Sequence, residues 1–430
     1  MNYSVSAFLA RHNFVNHSDV NLIANAILDD MNKGLSGQQS DEDMILTYSL
    51  PPKAKVKNKS VIVIDAGGTN FRSCLVTFDE NGNAIISDLE KTKMPAIDKE
   101  LSKKEFFNQI AKNLEHLKNK ADSIGFCFSY PMTITQDGDG IVTGFSKEVK
   151  APEVVGSKVG ESLKQTLEEH GWNTIKTIRL LNDTVAALLA GAAISGKQKY
   201  SSFIGFILGT GMNAAYIQPQ NPDFPGVNKQ IVVCESGKNK NVIRSDFDIE
   251  FDKTTARPGE FYIEKCCSGA YLGPVSLIML KTAAKEEIFS PYVCKKILEL
   301  TSLSTVDIDS FLHEPYDTSS CLGRLMAESA RDKDYDLLFQ ILDAMVERSA
   351  RHAAAILSAC VIQSQEGKIA TKPVCILCNG TTFHKTYMLK ERVCAYLDEV
   401  LTRERGLSWR IVSVDNDITL GTAISGVSEE

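Results

Sequence analysis

Between Val61 and Phe78 the chain reads VIVIDAGGTNFRSCLVTF, which sets an aspartate, two glycines, a threonine, an asparagine and an arginine between two apolar stretches. A β-branched strand bounded by glycines is rigid enough to hold Asp65 at a sheet edge where a cation could bind. Gly67 and Gly68 remove side chains from the turn, so backbone N–H groups can approach an anion closely. Thr69 adds a hydroxyl donor, Asn70 closes the turn, and Arg72 supplies a fixed positive charge. These residue types suit a metal-bound polyphosphate. The plainer alternative is an ordinary β-hairpin with Asp65 as its cap.

The design recurs about 140 residues later. SFIGFILGTGMNAAYIQ, from Ser202, is again an apolar strand, a glycine-threonine turn (Gly209, Thr210, Gly211), an asparagine (Asn213) and an apolar strand. Two such hairpins, one per domain, could clamp a polyphosphate at a domain interface. Gly209 to Ala214 also satisfies G-x-G-x-x-A, with Glu235 downstream as the acid of a dinucleotide site. That fingerprint must open a helix, whereas AAYIQPQNP is strand-like and meets Pro219, so the dinucleotide reading fails. A Walker loop is excluded because Lys197, Lys238 and Lys368, each after a glycine, precede Gln, Asn and Ile rather than Ser or Thr.

Phosphoryl transfer asks for positioned phosphates, a cation and a group that accepts the proton of the attacking hydroxyl. The seven histidines fall outside every motif, which leaves a carboxylate. Asp183, in RLLNDTVAALLAG, stands where a strand ends and a small-residue helix begins. It reads equally as a base and as a helix N-cap. Ser129, Ser146, Lys147, Asn213, Glu235 and Glu264 follow strands or turns in a similar way. Singly each is most simply a surface or capping residue; jointly they suit a polyol, whose hydroxyls donate to carboxylates and both donate to and accept from amides in bidentate hydrogen bonds.

The elements that must carry these groups are those of an α/β protein. Apolar residues Val20, Ile23, Ile27 and Met31 predict a helix before Gly34, and Pro51-Pro52 with KAKVKNKS a linker. Helices are expected near Lys103–Lys120 and Val154–His170, with strands at Ser123–Pro131 and at TIRLLND between and after them. The second half reads as mostly helical, from Glu264 through Leu300 and from Asp334 to Ile362, before two strand-to-turn units, PVCILCNGTT and WRIVSVDND. At 430 residues two domains are expected. Lys and Arg number 47 against 54 Asp and Glu, a net charge of −7 with no basic stripe, which argues against nucleic acid. No apolar run suits a signal peptide or a membrane span, so a cytoplasmic protein is expected. The eleven cysteines are odd in number and often lie in apolar runs, as buried thiols do. Cys375 and Cys378 have C-x2-C spacing, but a structural zinc site needs a second pair, so a buried strand is the better reading.

Taken in order, the motifs resemble those of the eukaryotic-type hexokinase family, within the superfamily of sugar kinases, actin and heat-shock ATPases. MILTY (Met44–Tyr48), DAGGTNFR (Asp65–Arg72), GFCFSYP, FSKEVKA (Phe145–Ala151), LNDTVAALLAG (Leu181–Gly191), GTGMNAAYI (Gly209–Ile217) and RPGEFYIEKCCSGAYLG (Arg257–Gly273) span nearly the whole chain. The resemblance implies a two-domain, actin-like (ribonuclease H-like) ATPase fold with an interdomain cleft. Residues 1–55 and 184–415 would form the large domain, and 56–183 with 416–430 the small one. It further implies transfer of the γ-phosphate of ATP to the 6-hydroxyl of a hexose, glucose foremost, as the first step of glycolysis, with Mg²⁺ as cofactor and a monomer or homodimer as the acting form.

Residue by residue, the resemblance makes Asp183 the base and lets Lys147 offset charge on the transferred group. Asp65 would bind Mg²⁺ through water. Ser146, Lys147, Asn182, Asp183, Asn213, Glu235 and Glu264 fall at sugar-contacting positions, beside Ser129 in the sugar-loop entry. Gly67, Gly68, Thr69, Asn70, Gly209, Thr210 and Gly211 would meet phosphates, with Gly269 near the nucleotide. The chain departs from the family in three places. Glu235-Ser236-Gly237 replaces Glu-Trp-Gly; Phe145, Ser146 and Glu148 replace Trp, Thr and Gly; and Asn416 to Ala423 lacks two glycines of the adenosine motif. A non-catalytic sugar sensor on the same fold is the alternative, and it would be expected to lose Asp183 or Lys147, both of which are present.

Overall fold

The structure is a computed structural model that describes residues 3–145, 149–194, 198–328 and 330–428. Two mixed sheets dominate it, and they share one wiring. In the first, the strands lie in the order Ala84–Lys93, Asn70–Phe78, Lys59–Gly67, Ser123–Phe128, Thr177–Leu181. The second runs Gln230–Val233, Met212–Gln218, Ser202–Leu208, Val374–Asn379, Trp409–Val412, with Ile45–Leu46 added at one edge. Each is an antiparallel three-strand meander whose first strand pairs in parallel with a later strand, which in turn pairs in parallel with a last one. The hairpin repeat visible in the sequence is thus the start of a repeated sheet.

Strand periodicity decides which residues face the space between the sheets. Side chains alternate across a strand. Val61 and Val63 pack with Val185, Leu188, Ala215, Ile231 and Ala423, whereas Ile62 and Ile64 pack with Phe106, Ile110 and Leu163 on the outer side. Two-sided burial explains why this strand is a continuous apolar run. Asp65 continues the Val61–Val63 face. By the same count Asn213 continues the Ala215–Ile217 face, and Ser129 follows Cys127. All three lie on the side filled by the helices Asp183–Ala193 and Asp417–Val427.

These two helices are small-residue wedges. A Cβ at Gly421 would stand 1.8 Å from the Ala186 carbonyl oxygen, and one at Gly125 would stand 2.1 Å from that of Thr422. Backbone-to-backbone packing at this distance locks the C-terminal helix between its partner helix and the first sheet. On the far side of the second sheet the Asp332–Gln363 helix is buried along most of its length, covered by Val20–Leu35 and Leu389–Leu397.

Element boundaries depart from expectation in several places, some of them set by caps rather than by apolar periodicity. Two helices, Tyr3–Arg11 and Val20–Leu35, fill the N-terminal region, the second capped by Asp19. Ser102 and Glu105 form a capping box for Lys103–Asn113, which stops short of Lys120. The predicted Val154–His170 helix is Val159–Glu169, and the Glu264–Leu300 run divides into Tyr262–Cys267, Leu272–Lys285 and Pro291–Glu299. Cys375 and Cys378 lie in one strand, buried and free; three positions apart on a strand, they point to opposite faces and cannot share a metal. Among the described residues no helix is long and apolar enough to cross a membrane.

Candidate active site

The strand ends and helix starts converge between the sheets. Asp183 is the first residue of its helix, and the cap is its neighbour: the Asn182 side-chain oxygen accepts the Thr184 backbone N–H at 2.9 Å. Capping therefore does not explain Asp183. Burial pushes its carboxyl from an ordinary 3.8 up to about 7. The Thr184 N–H opposes this, while the charges of Glu235 and Asp65 add to it. A carboxylate near neutral pKa, enclosed and flanked by two other acids, suits a general base.

Asp65 closes the first turn. The Arg72 guanidinium donates to its Oδ2 at 3.0 Å across the hairpin, where the two residues are register partners. Burial raises the Asp65 carboxyl, Arg72 lowers it, and Asp417 raises it again. Gly67 pairs with Asn70, leaving Gly68 and Thr69 at the tip, with Gly68 at φ +58° and no atom within 4 Å of where a Cβ would stand. The Tyr130 hydroxyl donates to the Gly68 carbonyl at 2.7 Å. Ser129 lies against Gly67, its N–H on the Ala66 carbonyl, so the structure puts it beside this turn.

The second turn is tied from several directions. The Gly209 carbonyl accepts the Gly269 N–H at 2.8 Å and the Thr382 hydroxyl at 2.9 Å. That of Thr210 accepts the Ala270 N–H at 3.1 Å and the Ser268 hydroxyl at 2.8 Å. Gly269 thus spends its amide on the turn, and a Cβ there would stand 2.4 Å from Thr382 Oγ1. Gly211 abuts Glu264, whose Oε2 accepts the Met212 N–H at 2.9 Å.

A carboxylate-amide network lies next to it. Asn213 donates through Nδ2 to Glu235 Oε1 at 2.6 Å and accepts the N–H groups of Ala214 at 2.7 Å and Ser236 at 3.3 Å. Glu235 itself adopts a left-handed backbone, φ +57°. Burial raises both Glu235 and Glu264; Lys238 opposes the first, and the Met212 N–H opposes the second. Asp183, Asn182, Asn213, Glu235 and Glu264 are therefore one neighbourhood, and Asp65 with Gly67 to Asn70 borders it. Ser146 and Lys147 lie outside the described residues; Phe145, just before them, packs against Phe106, Phe128 and Tyr130 at ring-centroid distances of 5.3 to 6.1 Å.

Sequence reasoning missed Tyr130, Asn379 and Asp417. Asn379 donates through Nδ2 to both Asp417 oxygens at 2.7 Å, which fixes an acid at the start of the C-terminal helix beside Asp65. Its signal was the departure at Asn416–Ala423, where a carboxylate occupies a glycine position. The donor set fits Mg²⁺ arriving with a polyphosphate, since that ion keeps several waters and needs only one or two carboxylates. Asp65 is a buried-edge carboxylate beside an open glycine turn, and no group of three or more metal-ligating side chains occurs among the described residues.

Two like-wired sheets, with a helix pair between them and carboxylates gathered at their strand ends, define an α/β phosphotransferase of the actin-like ATPase fold. Solved structures share the arrangement. The hexokinase from Schistosoma mansoni complexed with glucose superposes with a TM-score of 0.78 at 21% identity, and another hexokinase crystal structure does so at 0.83 and 21%; each match covers 99% of both chains. Family models described as hexokinase match residues 7–193 and 203–428. Hexokinase-1 of Schizosaccharomyces pombe is 25% identical over 95% of this chain and 87% of its own. Hexokinase-9 of Oryza sativa subsp. japonica is 27% identical over 94% and 86%. The chain belongs to the hexokinase family, and its reaction is ATP-dependent phosphorylation of a hexose.

Proposed function

We propose that Asp183 is the general base, taking the proton of the 6-hydroxyl of glucose or a related hexose as that oxygen bonds to the γ-phosphorus of ATP. The bond from this phosphorus to the β,γ-bridging oxygen breaks, and ADP leaves. The observation that carries the assignment is the division of labour at the strand-helix junction: Asn182 makes the cap, and Asp183 remains a buried carboxyl raised to about 7. Asn182, Asn213, Glu235 and Glu264 are assigned to hexose hydroxyls. The Asn213–Glu235 hydrogen bond and the Glu264 bond to the second turn support this, because both fix their side chains before substrate arrives.

Gly67 to Asn70 and Arg72 are assigned to the polyphosphate, together with Gly209, Thr210 and Gly211; Ser129, beside the first turn, is assigned to the hexose. Asp65 would hold Mg²⁺ through water, and the ion, when bound, would neutralise polyphosphate charge. Ser146 and Lys147 are assigned, from their place in the sequence, to the hexose, with Lys147 also offsetting charge on the transferred phosphoryl group. Residues 56–183 with 416–430 are proposed to move as one body: the C-terminal helix packs on the Lys59–Gly67 and Ser123–Phe128 strands. Residues 1–55 are assigned to the other body, to whose sheet Ile45–Leu46 adds a strand. Closure would exclude water, the competing acceptor. A cytoplasmic monomer or homodimer is the proposed acting form.

Asp183→Asn tests the base. Phosphorylation of glucose should fall by roughly 10²- to 10⁴-fold while glucose binding, followed by intrinsic fluorescence, is kept. A base acts when ionised, so the rate of the unaltered protein should climb as pH rises through about 7 and level off above it. That limb should be missing from the residual activity of the variant. A variant as active as the parent chain would move the base elsewhere.

A further inference from the structure

Three consecutive acids, Asp41-Glu42-Asp43, lie antiparallel to three consecutive residues, Lys238-Asn239-Lys240, that directly follow the Glu235 turn. Asp41 Oδ2 accepts the Lys240 backbone N–H at 3.1 Å, Glu42 Oε1 accepts Asn239 Nδ2 at 3.1 Å, and Asp43 pairs with the Lys238 ammonium. The acidic strip is itself anchored. Asp30 accepts the N–H of Asp41 at 3.0 and 3.1 Å and that of Glu42 at 2.9 Å, and Met44 donates to the Cys234 carbonyl at 3.4 Å.

The outer rungs are partly exposed, with Asp43 and Lys238 side chains 42% and 31% accessible, and such pairs hold little. The middle rung differs: Glu42 and Asn239 are both 0% exposed. Glu42 Oε2 has no hydrogen-bond partner, and burial pushes this carboxyl well above its ordinary range. A buried acid with an idle oxygen costs folding free energy that an apolar residue would not, so the explanation lies in what the other oxygen holds.

Asn239 joins the two hexose carboxylates. Its N–H closes the short turn Ser236–Lys238 that follows left-handed Glu235, and its carbonyl accepts the N–H of Ile263, the residue before Glu264, at 3.2 Å. The Ser236 hydroxyl adds nothing to this, being buried without a partner, although its backbone N–H and carbonyl bond Asn213 and Asn239. We propose that Glu42 is a positioning residue for hexose recognition: through Asn239 it fixes the Glu235 turn and the start of the Glu264 helix in mutual register. This rests on the assignment of Glu235 and Glu264 to the hexose.

The test compares Glu42→Ala, Glu42→Gln and Glu235→Ala in steady-state kinetics with glucose and ATP, each variant checked for folding by circular dichroism. Glu42→Ala leaves Asn239 Nδ2 unpaired, with its Oδ1 held only by the Asn241 N–H, and should raise KM for glucose roughly tenfold with KM for ATP unchanged. Glu42→Gln keeps an acceptor for Asn239 Nδ2 and should restore the parent value. Equal rises in both KM values, no rise in either, or failure of Gln to restore would overturn the proposal. If Glu42→Ala does not fold, Asn239→Ala is read in the same way, with the same outcomes deciding. Glu235→Ala separates the two levels: if it leaves glucose KM intact, the hexose assignment itself falls, whereas a large rise there with none in the Glu42 variants removes only the positioning role.

Discussion

The two glycine turns look alike in sequence and do different work in the fold. At Gly67–Asn70 the tip is more open: Gly68 has a positive φ and open space where a Cβ would stand, while the Tyr130 hydroxyl donates to its carbonyl and the Met94 N–H to that of Thr69. At Gly209–Gly211 the carbonyls of Gly209 and Thr210 are already occupied by Ser268, Gly269, Ala270 and Thr382, a Cβ at Gly211 would stand 2.8 Å from Glu264 Oε2, and one at the adjoining Gly269 would stand 2.4 Å from Thr382 Oγ1 and 2.9 Å from the Gly209 carbonyl. The first turn needs glycine at position 68 for its conformation; around the second, Gly211 and Gly269 are the positions where packing excludes a side chain. A shared motif therefore fixes a shape without fixing what that shape is for.

Substitutions can break this contrast. The largest effect is expected at the packed turn. Gly269→Ala would press a methyl against Thr382 Oγ1 and the Gly209 carbonyl, costing about 2 to 3 kcal/mol of stability, read as a lower urea midpoint. Parent-like stability would show the second turn to be as free as the first. Gly68→Ala meets no atom but must adopt φ +58°, so it should cost only about 1 kcal/mol of stability while raising KM for ATP roughly fivefold. Unfolding at the level of Gly269→Ala would erase the distinction. The smallest change sharpens it: Tyr130→Phe removes one hydrogen bond to the free turn, worth about 1 kcal/mol, and should raise KM for ATP by about two- to threefold with glucose KM unaltered. A change in glucose KM instead would tie Tyr130 to the acceptor.

Much of the site was legible because its parts are local. Strand, turn and strand at Asp65–Arg72, and strand, cap and helix at Leu181–Ala193, follow from apolar periodicity and a few glycines and Asx residues. The capping question at Asp183 was not legible: Asn182 and Asp183 are both good caps, and only the backbone geometry at the junction gives the cap to Asn182. Ser129 was legible as a polar residue after a strand, but its place beside Gly67 depends on the pairing of two strands some sixty residues apart in the chain. Asp417 ends the strand-to-turn unit WRIVSVDND, but nothing local links it to Asn379; Glu42 follows no recognisable strand-turn signal. Their importance comes from Asn379 and Asn239, partners that the sequence leaves distant.

By itself the sequence determined the reaction class, the repeat of the hairpin and the residues with the chemistry to act, because each is written in short-range pattern. The tertiary structure decided which carboxylate is buried enough to be raised to about 7, which glycine turn stays open, and which distant acids brace the Glu235 turn. Those properties depend on burial and on the field of neighbours brought together from across the chain. No local pattern contains them.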